Sequence, residues 1–168
     1  PRKEQQECIE AITKYFNEHP HGRFLLNCKM RFGKSFTTYK YCENQNLNKI
    51  LILTFIPAVQ SSWEDDLSHI KKDYRYFTDD NLRKSDFVLK FIDDPFVLFL
   101  SLQNYLGKEK NLEVKAKIQQ LQDIDWDLVI LDEYHFGAWN QKTQGTLKNK
   151  EEKIEDIDSD YQNQLKQN

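Results

Sequence analysis

The sequence lacks the features that mark several classes of protein. Its three cysteines, Cys8, Cys28 and Cys42, are an odd number without a Cys-x-x-Cys pair. This count argues against a disulfide framework and a zinc ribbon, and it favours a reducing, cytoplasmic setting. No apolar run approaches the ~20 residues of a membrane-spanning helix. The N-terminal residues also lack the apolar core of a signal peptide.

An excess of positive charge is also missing. The 24 Lys and Arg residues are outnumbered by 27 Asp and Glu residues, so the net charge is −3. Overall charge therefore does not predict nucleic-acid binding, which would need a local patch. The chain begins at Pro1 without an initiator Met, so we expect a piece of a longer protein. Hydrophobic residues, at 39%, are slightly scarce, but aromatic residues at 13% argue against disorder across the whole chain.

Hydrophobic periodicity predicts an α/β domain. Helical spacing places Cys8, Ile9, Ile12, Tyr15 and Phe16 on one face of a helix over 3–18. Further helices are predicted from the Gly-Lys-Ser triplet to about residue 46, over 59–70 and over 108–122. Apolar runs predict buried strands at 24–26, 50–55, 87–91, 96–100 and 128–131. Such strands, alternating with helices, form a mainly parallel sheet covered on both faces. We expect one domain over 1–147 and a polar tail or linker over 148–168.

The sequence Gly33-Lys34-Ser35 stands after a predicted strand and before a predicted helix. This is the placement of a phosphate-binding loop, in which backbone N–H groups and the helix N-terminus surround the phosphates. Lys34 would reach the β- and γ-phosphates and the Ser35 hydroxyl would ligate Mg²⁺. The full pattern asks for glycine where Cys28 stands, and an ordinary loop is the alternative interpretation of the triplet.

Two adjacent carboxylates, Asp132 and Glu133, end an apolar strand. They repel each other and lose hydration there unless a cation is present. Asp132 would hold Mg²⁺, and Glu133 would orient and deprotonate the attacking water. The alternative is a solvated turn after a core strand. His135 follows closely, and it is either a surface histidine or a hydrogen-bonded link from the γ-phosphate to a neighbouring element.

These segments together resemble the first RecA-like motor domain of superfamily 2 helicases and translocases. The resemblance rests on Arg2-x-x-Gln5, residues 28–35, residues 50–60, Phe99-Leu100-Ser101-Leu102-Gln103 and Leu131-Asp132-Glu133-Tyr134-His135, in that order. The Met-Arg-x-Gly-Lys-Ser loop is most similar to the motor subunits of type I and type III restriction enzymes and to related phage helicases. The resemblance covers residues from about 1 to 140.

The resemblance implies a set of site residues. ATP would be bound by Gln5, which matches the glutamine that reads the adenine edge, and by the loop residues Met30, Arg31, Phe32, Gly33, Lys34 and Ser35. Arg2 would lie over the base. The alternative for both residues is a polar face of the N-terminal helix. Pro57, Gln60, Ser101 and Gln103 match elements near the nucleic-acid path, where hydroxyl and amide groups bind phosphates without reading sequence. Trp63 shares a predicted helix face with Leu67 and Ile70, so we assign it to the core.

Three departures from the family pattern bear on function. Cys28 replaces a glycine, Tyr134 replaces a common alanine, and the downstream coupling motif is not visible. The last arginine is Arg83, so no residue after Asp132 provides the arginine finger, which is worth ~10³–10⁵ in rate. A second RecA-like domain, expected elsewhere in the full-length chain, would supply it. Alone, this chain is expected to bind ATP weakly and to hydrolyse it slowly or not at all.

The sequence thus predicts the ATP- and Mg²⁺-binding half of a motor that moves on nucleic acid, with DNA favoured over RNA and no membrane partner. A P-loop kinase is one alternative, although the arginines of a kinase lid are missing after Arg83. A degenerate nucleotide-binding module that serves assembly is the other, and Cys28 is the residue that favours it.

Overall fold

The computed structural model describes residues 1–82, 89, 92–102 and 121–132. The described helices are α1 (Lys3–Glu18), α2 (Lys34–Asn44), α3 (Gln60–Leu67) and the short α4 (Asp79–Leu82), and a 3-10 turn (Pro57–Val59) precedes α3. The strands are β1 (Lys49–Thr54), β2 (Arg75–Thr78), β3 (Phe96–Ser101) and β4 (Leu128–Asp132).

The four strands form one parallel sheet in the order β2-β3-β1-β4. The central pair runs in register from Lys49 opposite Phe96 to Thr54 opposite Ser101. β3 is buried at every position, whereas the edge strand β2 is half-exposed. This arrangement confirms the predicted α/β class with a parallel sheet flanked by helices.

Alternating side chains of the central strands build two cores. Ile50 and Ile52 point to the face covered by α1, α2 and α3. Leu51 and Leu98 point to the opposite face, which is packed by Phe77, Leu82, Leu89 and Ile124. Both faces of the sheet are therefore buried, which explains why the strand sequences read as continuous apolar runs. Trp63 belongs to the first core, as predicted.

One predicted strand is wrong. Residues 24–26 have no regular secondary structure, and Leu25 is 84% exposed. Phe24 instead packs its ring against Tyr15 and Phe16 of α1, at centroid distances of 5.4 and 6.4 Å. The apolar run is used for a local aromatic contact with the preceding helix, and no strand precedes the Gly-Lys-Ser triplet in the described ranges.

Other expectations fall at the limits of the described ranges. The predicted strand over 87–91 lies outside them except for Leu89, and the predicted helix over 108–122 lies outside except for its last two residues. The tail over 148–168 and its boundary at residue 147 also lie outside. The chain divides into compact units of residues 1–130 and 131–168, and Leu131 and Asp132 are the described residues of the second. None of the described helices is long and apolar enough to cross a membrane.

Candidate phosphate-binding loop

Two residues just before α2 have a left-handed backbone conformation. Arg31 has a φ of 62° and Gly33 has a φ of 81°, and Gly33 is the N-cap of α2. The Gly33 carbonyl oxygen accepts hydrogen bonds from the Thr37 backbone N–H at 2.9 Å and the Thr37 hydroxyl at 2.7 Å. Gly33 is the residue type that adopts this geometry without strain. The chain therefore enters α2 abruptly at Lys34, and the first helical turn, whose N–H groups have no acceptor within the helix itself, lies next to the loop.

Side chains at the start of helix α1 hold this loop through hydrogen bonds to the backbone of the loop. The Gln5 side chain is 5% exposed, and its Nε2 donates to the Phe32 carbonyl oxygen at 2.8 Å. Its Oε1 accepts from the Arg2 backbone N–H at 2.8 Å. The Arg2 guanidinium donates to the carbonyl oxygens of Phe32 at 2.6 Å and Arg31 at 3.2 Å. Arg2 and Gln5, both predicted to contact adenine, thus position the loop. To bond to the base, Gln5 would have to break one of these hydrogen bonds. The adenine contact stays a prediction.

Cys28, at the position where the family pattern has glycine, is also tied to α1. Its thiol lies near the Cys8 thiol, and the two thiols influence each other's pKa. Burial raises the pKa of the Cys28 thiol, while the positive charge of Lys34 opposes that shift. The loop therefore contacts α1 at both of its ends.

Ser35, the predicted metal ligand, has a defined partner. Its hydroxyl donates to Oδ2 of Asp66 on α3 in a short hydrogen bond. Both side chains are half-buried. Sequence reasoning did not identify Asp66, which is part of the acidic sequence Glu64-Asp65-Asp66. A signal for it was present, because Asp66 follows the core residue Trp63 by three positions and such residues share a helix face.

The remaining loop residues differ in exposure. Met30 is 94% exposed, and Arg31 is exposed as well. Phe32 is half-buried and uses its carbonyl oxygen for the contacts with α1. The side chains of Met30 and Arg31 are therefore available to a ligand or another surface, while the backbone of the loop is bonded to Arg2 and Gln5.

Of the predicted acidic box, the structure describes Asp132. It is the last residue of β4 and is 8% exposed. Glu133 and His135 lie outside the described residues. Asp132 belongs to the second compact unit, whereas the loop belongs to the first. Its role as a magnesium ligand stays a prediction.

The predicted nucleic-acid residues follow two neighbouring strands. Thr54 and Ser101 are register partners, so the segments after β1 and β3 leave the same edge of the sheet. Pro57 is exposed, and Gln60 is half-buried at the start of α3. Ser101 is 1% exposed, with its backbone N–H donating to Oδ2 of Asp79 at 3.1 Å. A contact from the Ser101 hydroxyl to DNA would need its surroundings to move, and this contact stays a prediction. Gln103 lies outside the described residues.

The sequence of the chain is similar to those of known proteins. Residues 1–164 match the model of the family described as "Type III restriction enzyme, res subunit". The chain is 53% identical, over 161 residues, to the C-terminal part of a candidate type II restriction enzyme and methyltransferase of Mycoplasma pneumoniae. The match covers 92% of this chain and 22% of that relative, so the chain spans about a fifth of its length. No solved structure matches the chain.

Proposed function

We propose that this chain, which belongs to the family of the type III restriction enzyme res subunit, is the ATP-binding half of a motor that moves on DNA. The observation that carries the proposal is the loop held between two helices. Gly33 turns the backbone into α2, while Gln5 fixes the loop from α1. A loop held in this way keeps its geometry before a nucleotide arrives, which lowers the ordering cost of binding phosphates.

The donor set fits Mg²⁺ and a nucleoside triphosphate. Hydroxyl and carboxylate oxygens are the ligands that Mg²⁺ prefers, and Ser35 and Asp132 supply one of each. When bound, Mg²⁺ neutralises negative charge on the phosphates. Lys34 would pair with the phosphates, Glu133 would accept a proton from the attacking water, and His135 would transmit the state of the site to a neighbouring element.

The motor activity needs more than this chain. We assign the arginine finger and the second half of the nucleotide site to a second RecA-like domain of the full-length protein. DNA is the favoured nucleic acid because the matching family and the relative are both restriction enzymes by description. Pro57, Gln60, Ser101 and Gln103 would contact its backbone. ATP and DNA are both found in the cytoplasm, which stays the expected location.

A degenerate nucleotide-binding module is the second candidate, and one contact favours it. The Cys28 thiol lies near the Cys8 thiol, at a position where the family pattern has a glycine. This side chain occupies the start of the loop, so it can restrict how closely a phosphate approaches. The P-loop kinase alternative finds no such support, since the family match points to restriction enzymes.

The test uses the full-length protein with DNA. We expect its DNA-stimulated ATPase to be lost when Lys34→Ala and Glu133→Gln are combined. Lys14→Ala, an exposed lysine on α1, is the matched control and should leave the ATPase unchanged. An intact ATPase in the double variant would overturn the proposal. ATP binding without turnover in the wild-type protein would favour the degenerate module, and turnover that depends on a phosphate acceptor would favour a kinase.

A further inference from the structure

The hydrogen bond between Ser35 and Asp66 joins two helices that are fixed against each other. One turn further along α2, the buried ring of Tyr39 meets Trp63 edge-on at a centroid distance of 5.3 Å. Tyr39 is 0% exposed and Trp63 is 3% exposed. Asp66 is thus held by a packed core contact one turn away and is not a freely moving surface side chain.

The direction of the hydrogen bond matters for metal binding. A serine hydroxyl has one proton and two lone pairs. In this structure its proton is directed to Oδ2 of Asp66. The lone pairs of Ser35 therefore remain for a cation. A carboxylate that accepts the proton of a ligand fixes the orientation of that ligand and makes its oxygen a better donor. It also adds negative charge close to the cation.

We propose that Asp66 is a positioning residue of the magnesium site, which acts on the metal through the hydroxyl of Ser35. This inference rests on the proposed function, because it assumes that Ser35 ligates Mg²⁺. It gives a residue of α3 the task of orienting a metal ligand, and none of the predicted site residues has this task. Asp66 does not itself ligate the metal. It selects the one orientation of the Ser35 hydroxyl that leaves an oxygen lone pair free.

The opposite role would give the opposite result. If the hydrogen bond were a latch that keeps Ser35 away from the metal, removal of the carboxylate would strengthen Mg²⁺ binding. The two roles are separated by measuring nucleotide affinity with and without Mg²⁺. Nucleotide affinity in the presence of EDTA reports Lys34 and the loop, while the gain on adding Mg²⁺ reports the metal site.

The experiment measures the dissociation constant of a fluorescent ATP analogue with the full-length protein, in EDTA and across a range of Mg²⁺ concentrations. For Asp66→Asn we expect the gain from Mg²⁺ to fall by about 10- to 100-fold, with affinity in EDTA unchanged. Asp65→Asn is the matched control, since Asp65 is the exposed neighbour on the same helix. Its gain from Mg²⁺ should equal that of the wild type.

A double variant tests the route through Ser35. Ser35→Ala removes the predicted ligand, so adding Asp66→Asn to Ser35→Ala should cause no further loss of the gain from Mg²⁺. An equal loss in both backgrounds would overturn the proposal, because Asp66 would then act without Ser35. A stronger gain from Mg²⁺ in Asp66→Asn would also overturn it, in favour of the latch.

Failure of this inference is distinguishable from failure of the proposed function. A wild-type protein that binds no ATP analogue in either condition would overturn both. A wild-type protein that gains affinity from Mg²⁺, with Asp66→Asn behaving like Asp65→Asn, would overturn the role of Asp66 alone. Asp66→Glu, which keeps the charge, serves in place of Asp66→Asn if thermal melting shows that the amide variant does not fold. We expect it to restore part of the gain if the carboxylate is needed, and a gain no larger than that of Ser35→Ala would contradict the inference.

Discussion

The side-chain nitrogen of Gln5 donates to the carbonyl oxygen of Phe32 at 2.8 Å, across 27 positions of the sequence. This hydrogen bond joins the first helix to the candidate phosphate-binding loop. A buried amide with both of its ends bonded is rigid, and the loop that it holds shares that rigidity.

Gln5→Ala should therefore destabilise the protein even without nucleotide. The variant loses two hydrogen bonds of a buried side chain, and we expect a loss of about 1–2 kcal/mol in the free energy of unfolding. Urea denaturation measures this loss. Gln6→Ala is the control, because Gln6 is exposed and bonds to the exposed Glu10. Equal stability of the two variants would show that the contact with Phe32 does not hold the loop.

Gly33→Ala combines two effects that a second substitution separates. A Cβ atom at Gly33 would lie 2.8 Å from Nε2 of Gln5, and the φ of 81° disfavours any L side chain. The backbone part is worth roughly 1–2 kcal/mol. In a Gln5→Ala background the steric part disappears, so Gly33→Ala should cost less there than in the wild type. Thermal melting of the four proteins gives the two parts, and an equal cost in both backgrounds would exclude the steric effect.

Glu43 makes stability depend on pH. Burial alone would raise its pKa, but hydrogen bonds from Lys40 and from the backbone N–H groups of Lys72 and Lys71 outweigh burial and lower the pKa below its ordinary value of 4.5. The backbone N–H of Lys71 lies 2.6 Å from Glu43 Oε1, and that of Lys72 lies 3.0 Å from it. Because the folded pKa is depressed, the contribution is fully present above the unfolded pKa and is lost as the pH falls through the folded pKa.

Glu43→Gln tests this pH dependence. At pH 7 we expect the variant to be less stable by about 1.5–3 kcal/mol, the range for hydrogen bonds to a charged group. Below pH 4.5 the difference from the wild type should shrink, because the unfolded wild-type chain then binds a proton at Glu43 that the folded protein binds only at lower pH. Urea denaturation at both pH values measures it, with the exposed Glu10→Gln as control. A difference that stays constant down to pH 3 would contradict the assigned cause.

Leu25 and Leu98 report which apolar run forms the core. Leu98→Ala should cost about 2–5 kcal/mol, because Leu98 is fully buried in the central strand β3. Leu25→Ala should change stability by no more than ~0.5 kcal/mol, because its side chain is exposed. Chemical denaturation of both variants makes the comparison. A cost for Leu25→Ala close to that for Leu98→Ala would restore the buried strand that the sequence predicted over 24–26.

The sequence predicted the elements whose signal is local. Helix α1 has the predicted bounds because its apolar residues recur at helical spacing, and β1, β3 and β4 coincide with apolar runs to within a residue. The edge strand β2 was missed, because only Phe77 of its four residues is buried and no apolar run marks it. The run at 24–26 led to a wrong prediction, because it is apolar but does not form a strand. Its Phe24 packs on α1, a contact that depends on the path of the chain after the helix.

The candidate site divides in the same way. The loop residues from Gly33 to Ser35 form a recognisable sequence, and the left-handed Gly33 at the start of α2 agrees with what such a loop needs. The contacts that hold the loop are long-range. Arg2 and Gln5 reach it across about 30 positions, and Asp66 reaches Ser35 across 31. No local pattern encodes these separations, so the contacts of these residues with the loop are set by the packing of the helices.

The strand order of the sheet has a consequence for synthesis on the ribosome. β1 pairs with β3 on one side and with β4 on the other, while β2 pairs with β3. When synthesis has passed residue 70, α1, α2, β1 and α3 are complete, yet neither β3 nor β4, the strands that pair with β1, has been made. The start of β1 also waits for Asp127, whose carboxylate accepts hydrogen bonds from the backbone N–H groups of Asn48 and Lys49, 79 and 78 positions earlier. β1 therefore stays an unpaired apolar strand on the nascent chain until β3 has been made, which favours the binding of this segment by chaperones that prevent aggregation.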